Sequence, residues 1–517
     1  MPIIPRKQKL QIASQPKANQ IAVPAPTGGV NTRDSRSDMD IRDAITMENW
    51  IPESNGVKSR TGFDTFGTVA SGDVETLIPY EYAAVQQLIS FAGTVMYKTG
   101  IAGGAGTSIQ TGLANARWQS AQLGQNMLFF NGVDAPLNFD GTTVTTPTFT
   151  GDLATTGEET MEGAHSFKDR IYLWNTDTSD FYYGDTSAVA GDFTKFQLGT
   201  VATTGGNLLI METLSRDAGD GMDDFAVFIL TTGEVIMYQG SNPGDATNWS
   251  LIGKYFMSPP VSIRSAARFA GDILAITRND VVSVGNVIKS GGGQEGGQGF
   301  NLNPSKLSGG IEEDFKDFGT NYGFEIQLYG SAGWILVNIP ETTNSTYHQW
   351  VISTTTGAGT KFIGWDAQVF AVFNNNLYFG QSSNIFQGDS GLDDNGADIQ
   401  LRMQQAFTDF QDGHRKNFTG YKLFVRAEGT LNVGASFAFD YGTPFFPAPT
   451  QSQVSGASWD TATWDVAEWA GTNVSRLVNF GIGGEGVTVS PLISVDISGQ
   501  EAFLYNQIYN FTVSNTF

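Results

Sequence analysis

Three histidines, His165, His348 and His414, are the first residues to test for chemistry in a chain that has no cysteine. Each stands alone in the sequence, without a second histidine or an acid at ligand spacing, so neither a zinc site nor a Ser-His-Asp arrangement is supported. The run Asp38-x-Asp40-x-x-Asp43 resembles a cation loop but lacks the sixth-position glycine and twelfth-position glutamate of an EF-hand. Ser37 capping a short helix accounts for it better. Asp389, Asp393, Asp394 and Asp398, in GDSGLDDNGAD, read as a polar turn, with cation binding as the lesser alternative.

Two further patterns complete the chemical inventory. The segments SNPGDATNW (241–249) and GDTSAVAGDFTKF (184–196) are faintly like the Asp-and-Trp turns of propeller glycosidases. Such an enzyme needs two carboxylates about 5 to 10 Å apart in one pocket, and these segments look more like turns between strands. The loop at 290–299, SGGGQEGGQG, is rich in glycine but is followed by neither Gly-Lys-Ser/Thr nor a helix, so it is no phosphate cradle. Gly291, Gly292, Gly293, Gln294, Glu295, Gly296 and Gly297 read as a mobile insertion that in a ring-shaped assembly could project into a channel. No cofactor motif and no catalytic constellation emerge. The expectation is a non-enzymatic protein.

Composition points the same way. The 62 glycines of 517 residues, about 12%, exceed the usual share of roughly 7%, and aromatic residues make a further 12% while charged residues make only 16%. Many tight turns and packed sheet faces require this balance, whereas disorder requires its reverse. A net charge of −23 argues against sequence-specific nucleic-acid binding and suits either solubility or a surface past which nucleic acid slides. The absence of cysteine fits a reducing compartment. The start of the chain has no apolar core long enough for a signal peptide, and no run approaches the ~18 apolar residues of a transmembrane helix.

In chain order, residues 1–23 carry the only basic cluster, Arg6, Lys7, Lys9 and Lys17, and read as a tail. The leader at 24–63 then passes through a turn at Gly28-Gly29, the carboxylate-rich stretch and an aromatic anchor, Trp50, which we expect to be buried against a sheet. From Val74 an apolar strand, a polar turn and a second apolar strand recur, at 88–100, 127–141, 171–185, 225–240, 272–286, 334–352 and 376–389. Spacings of roughly forty to sixty residues, with hairpin turns such as Asn131-Gly132 and Thr232-Gly233, are those of blade repeats. Continuous apolar strands imply sheets covered on both faces, which a β-propeller provides. Beyond Asp389, residues 397–411 read as a strand or short helix, 418–442 as an antiparallel pair with alternating faces, and the end as strands closing a β-sandwich. Trp459, Trp464 and Trp469 read as aromatic anchors of an irregular connection. The expected fold is all-β: an N-terminal arm (1–66), an irregular propeller of six or seven blades (67–390) and a C-terminal sandwich-like domain (391–517).

The leader also carries a resemblance. Gly28, Gly29, Asn31, Arg33, Asp34, Glu48, Asn49, Trp50, Arg60 and Gly62 form a pattern similar to the N-terminal signature of short-tailed phage tail nozzle proteins, also called tail tubular protein B or packaged-DNA stabilisation proteins. The blade segments and 418–442 resemble this group more loosely. The resemblance implies a virion protein assembled in a bacterial cytoplasm, a hexameric ring of propeller subunits below portal and adaptor. That ring would extend the DNA channel, carry tail fibres or a needle, and retain DNA until ejection. It implies no cofactor and no catalytic residue. Asn31, Arg33, Asp34, Asn49, Trp50 and Arg60 become candidate docking residues. A carbohydrate-binding or glycoside-hydrolysing propeller, and another tail or baseplate part, are the alternatives.

Overall fold

The seven apolar hairpins read from the sequence are all antiparallel pairs. Six of them supply interior strands of sheets with at least four strands, which is why both of their faces are apolar. The computed structural model describes residues 18–217, 222–290, 305–342, 345–427, 431–453 and 474–513. Within these, six blades form a β-propeller. The blades begin with the strands Val74–Tyr82, Gln119–Leu123, Gly163–Phe167, Leu208–Asp217, Glu325–Tyr329 and Val369–Phe373. Between the fourth and fifth lies a three-stranded sheet, Ala266–Phe269, Asp272–Ile276 and Val281–Ser283, which the hairpin at 272–286 ends. These seven inner strands follow one another around the axis. A seven-hairpin sequence thus yields six blades and a smaller sheet. No helix among the described residues is long and apolar enough to cross a membrane.

The ring is closed by the leader. Phe63–Thr68 pairs antiparallel with Asn384–Gly388, so the last blade takes its outer strand from the start of the chain. Phe63 packs edge-on against Phe379 and Phe386, with centroids 5.2 and 4.9 Å away, a geometry that aromatic quadrupoles favour. Closure by a strand 300 residues away in sequence fixes the ring by hydrogen bonds as well as by packing.

Outside the ring two sheets form a sandwich. One orders Val474–Phe480, Lys416–Ala427, Ala502–Val513, Gly56–Ser59 and Trp50–Glu53, with Asn19–Pro24 also on Ala502–Val513. The other orders Asp43–Glu48, Ile399–Gln405, Val489–Ile497, Leu431–Phe439 and Gln451–Gln453. The second sheet does not stop there: Asp43–Glu48 also meets Gly359–Phe362, the outer strand of the fifth blade. One ten-stranded sheet therefore runs from propeller into sandwich. Leader residues thread through everything. They enter one sandwich sheet, cross to the other, return, and then pass to the propeller.

Three expectations need correction. Residues 34–42 form turns and no helix, so Ser37 caps nothing; it shares hydroxyl contacts with Ser35 and Asp38, the local pairing that lets such residues compete with helix. Lys416–Ala427 and Leu431–Phe439 do not pair with each other but lie in opposite sheets. Alternation shows that one face of a strand is buried; it does not choose the neighbour. Part of the supposed tail, Asn19–Pro24, is a strand, while Arg6, Lys7, Lys9 and Lys17 lie outside the described residues, as do Trp459, Trp464 and Trp469. Residues 397–411 contain the strand Ile399–Gln405.

Trp50 is 1% exposed and belongs to the sandwich core with Val57, Met403, Tyr421, Val495 and Leu504. Trp50→Ala should cost about 3–5 kcal/mol, read as a fall in the urea midpoint at unchanged slope. A loss under about 1 kcal/mol would contradict the packing described.

Candidate functional site

The leader's polar residues converge where the two bodies meet. Asn49 separates two strands that lie in different sheets, Asp43–Glu48 and Trp50–Glu53. It turns the corner with φ +60°, a conformation asparagine tolerates better than most residues. Its side chain donates to the Gln400 carbonyl at 2.8 Å and accepts from Arg60 Nε and the Ile363 amide, both at 2.9 Å. Arg60 in turn sits between sandwich and propeller, with its side chain 0% exposed.

All five guanidinium N–H donors of Arg60 are used. Beyond Asn49, they reach the carbonyls of Thr61 and Ile363, both at 2.9 Å, and both oxygens of Asp394 at 2.7 and 2.6 Å. The fork-to-fork geometry with Asp394 is the strongest form of such a pair. The rings of Phe362 and Trp365 flank the cation at 5.8 and 5.3 Å, which adds attraction in a water-free setting. Gly62 follows at once, and a Cβ there would fall 1.7 Å from the Asp393 carbonyl. Only glycine fits. The Asp389–Asp398 turn is thus occupied by a protein cation, and Asp389 itself accepts from the Thr61 hydroxyl.

Asn31, Arg33 and Asp34 belong to a second cluster. Asn31 donates to Asp34 at 2.9 Å and to Asp43 at 2.8 Å, while Lys306 pairs with Asp43. The hydrogen bond from Arg33, then that from Asn31, holds the Asp34 carboxyl down at about 2. Arg33 and Asp34 are part-exposed, whereas Asn31, Asn49, Trp50 and Arg60 are buried within the chain. Gly291, Gly292, Gly293, Gln294, Glu295, Gly296 and Gly297 lie outside the described residues.

Two histidines are less solitary than the sequence suggests. His348 is buried with Glu341 at 2.6 Å from Nδ1 and Asp314 at 3.0 Å from Nε2, and Trp350 also donates to Asp314. His414 meets Asp412. Neither makes a metal centre, since no group of three or more His, Cys, Asp or Glu suited to a metal occurs among the described residues. Asp314 lies 34 residues before His348, on the helix Ser308–Phe318, a separation no local motif reveals.

The propeller axis holds a further cluster that sequence reasoning missed. A partly open cavity of about 270 Å³ is lined by residues of all seven inner strands. Arg264 reaches across it to the Glu75 carbonyl at 2.8 Å, the Thr76 hydroxyl at 2.7 Å and the Trp118 carbonyl at 2.9 Å. Burial lowers this guanidinium to about 10. Burial also pushes the Glu212 carboxyl up to about 7 and His165, hydrogen-bonded to Thr213 at 2.9 Å, down to about 4. The available signal was a lone carboxylate in an apolar strand: LLIMETL around Glu212 and FEIQL around Glu325. The turns at 241–248 and 184–191 are by contrast fastened by their own side chains, as where Asp245 accepts from Thr247 and Asn248.

These features define a β-propeller joined through one continuous sheet to a β-sandwich. No protein-family model matches the chain, and no curated protein does. Among solved structures, the computationally designed Ika8 protein aligns with a TM-score of 0.37 at 10% identity, covering 69% of this chain and 98% of its own. YCF48 bound to D1 peptide aligns with a TM-score of 0.37 at 7% identity, covering 67% and 96%. The extracellular domain of the one-component system BT4673 from B. thetaiotaomicron gives 0.39 at 9% identity, covering 86% and 62%. Likeness this distant carries no functional argument.

Two outcomes follow from the buried charges. Asp394→Ala should cost about 3–5 kcal/mol, because it leaves Arg60 buried without its counter-charge; calorimetry of the purified variant measures this, and a loss under 1 kcal/mol would refute it. For Glu212, the folded protein binds the proton more tightly than the unfolded chain does. Its contribution therefore falls as pH rises from the ordinary 4.5 towards 7. Glu212→Gln should gain on wild type by up to about 3 kcal/mol between pH 5 and 8. His165 titrates in the opposite sense but is common to both proteins and drops out of the difference. A difference independent of pH would contradict the burial described.

Proposed function

We propose that this chain is a non-enzymatic structural subunit of a phage tail, one of several copies, six on the family resemblance, in a ring that continues the DNA channel below portal and adaptor. The observation that carries this reading is the overlap between the leader signature and the junction. Asn49, Arg60 and Gly62, which belong to the pattern that carries the resemblance, lie where the two bodies meet, and Trp50 anchors the same stretch in the sandwich core. A wall subunit that holds DNA under pressure needs its domains fixed to each other, and this is where the leader's buried polar groups are spent. Gly29 fits the same account. At φ +77° it brings the leader so close to Gly359 of the fifth blade that a Cβ would lie 2.4 Å from its carbonyl.

The axis of the propeller is no DNA passage. A cavity of about 270 Å³ is far too small for a duplex whose major groove alone is about 12 Å wide. On this reading the channel lies between subunits, and the net charge of −23 lets DNA slide along its wall without binding. Tail fibres or a needle would attach to the assembled ring.

The test is assembly. Purified chain mixed with the portal and adaptor of its phage should give a ring visible by negative-stain microscopy, with a multi-copy mass by light scattering. A chain that stays monomeric alone and in that mixture would overturn the proposal.

A further inference from the structure

We propose that one open flank of the sandwich is a docking surface for the chain's own residues 9–14, which pair with Asn19–Pro24 as a hairpin. This inference is independent of the tail reading. It starts from the free side of Asn19–Pro24, which pairs only with Ala502–Val513. Further along Ala502–Val513, Gly56–Ser59 takes the same side and is itself covered by Trp50–Glu53. Beside Asn19–Pro24 no strand among the described residues takes the corresponding place. Such an edge offers amides and carbonyls to any extended segment.

A groove of about 480 Å³ lies against this strand, roomy enough for two aliphatic side chains, and half-buried Ile21, Met39, Ile41 and Phe410 give it an apolar wall. Its two charged lining residues, Asp40 and Asp409, are both acidic. Each side chain accepts one backbone amide, from Arg42 and Gln411, both at 2.8 Å, and neither is in an ion pair among the described residues. The occupant that fits is extended, apolar on one face and basic.

The segment that leads into Asn19–Pro24 has these properties. Residues 1–17, which lie outside the described residues, carry Arg6, Lys7, Lys9 and Lys17 and no acid. Lys9-Leu10-Gln11-Ile12 alternates as the sequence of a half-buried strand does. Pro16 suits the second place of a type I turn, the usual centre of a four-residue hairpin loop. A loop at 15–18 sets Ser14 opposite Asn19, and hence Ile12 opposite Ile21 and Leu10 opposite Val23. Opposite residues share a face, so Leu10 and Ile12 join the side that Ile21 and Val23 turn to the core. Gln11 then joins the exposed Ala22. A shift of one residue would turn both apolar side chains outward. Lys9, Lys7 and Arg6 arrive at the Pro24 end, where Gln405 donates to the carbonyls of both Pro24 and Ile41 and so keeps Asp40 close. A second copy carries the same segment, but a short tether gives the chain's own an effective concentration on the order of millimolar.

The chain has no cysteine, so an introduced pair reports alone. Gln11→Cys with Ala22→Cys joins directly opposite positions, whereas Gln8→Cys with Ala22→Cys is out of register. Mild oxidation of the full chain, followed by intact mass and non-reducing gels, should close the first pair within one chain at least tenfold faster than the second. A segment without register closes the two within about twofold of each other, because closure depends only weakly on loop length; that result would overturn the proposal. So would a disulfide joining two copies. Adding Lys7→Glu and Lys9→Glu should lower the ratio at least threefold, and an unchanged ratio would overturn the part given to Asp40 and Asp409. Hydrogen exchange needs no variant: in the unsubstituted chain a peptide spanning 9–14 should exchange at least tenfold more slowly than an unfolded reference, and exchange at the unfolded rate would also overturn the proposal.

Discussion

A single buried guanidinium, that of Arg60, is the constraint around which the two bodies are arranged. Taking such a charge out of water costs several kcal/mol unless it is fully paired. The fold meets that cost with four residues from three segments: Asn49 and Thr61 on the leader, Ile363 at the end of the fifth blade and Asp394 after the sixth. None of these partners can leave without stranding a charge or a donor. The requirement is geometric as well as electrostatic, because a planar fork has one orientation that satisfies every N–H. The chemistry of this side chain therefore adds to the continuous sheet in holding sandwich and propeller in one relative placement.

Around this point the leader does the work of a seam. Its strands belong to both sandwich sheets and to the last blade, and a buried polar chain fastens it further. Tyr421 donates to Gln507 at 2.7 Å, Gln507 donates to Gln405, and Gln405 donates to the Pro24 carbonyl at 3.0 Å. These three side chains come from both sheets, so the network spans the sandwich interior and ends on the leader. Fully satisfied networks of this kind specify one arrangement over others more than they add stability. The propeller has its own counterpart in Arg264, which ties blades together across the axis.

How much of this the sequence disclosed depended on range. The hairpins were legible because interior strands such as Arg170–Trp174 are buried along almost their whole length and read as unbroken apolar runs. The number of blades was less so, since DILAITRNDVVSVGN reads like its neighbours yet ends a sheet of only three strands. Edge strands of two residues, such as Gly104–Ala105 and Val144–Thr145, carry no periodic signal at all. Trp50 declared itself as an apolar anchor in a polar stretch. Arg60 could be singled out from the leader, but its partner Asp394 is 334 residues away and resembled ordinary turn chemistry. Glu212 and Glu325 looked like incidental charges until the ring brought them to one cavity. Local pattern shows what kind of element forms; closure of the ring decides what meets.

The central claim is that the leader is an integral seam of the folded unit. Hydrogen exchange followed by mass spectrometry measures this directly, because amides in the seam can open only with the sheets they join. Peptides spanning residues 43–68 should exchange as slowly as those from the interior strands of the fourth blade, Met222–Leu230 and Glu234–Gly240. Exchange of residues 43–68 within seconds, while those blade peptides stay protected, would show the leader to be a detachable arm and contradict the account.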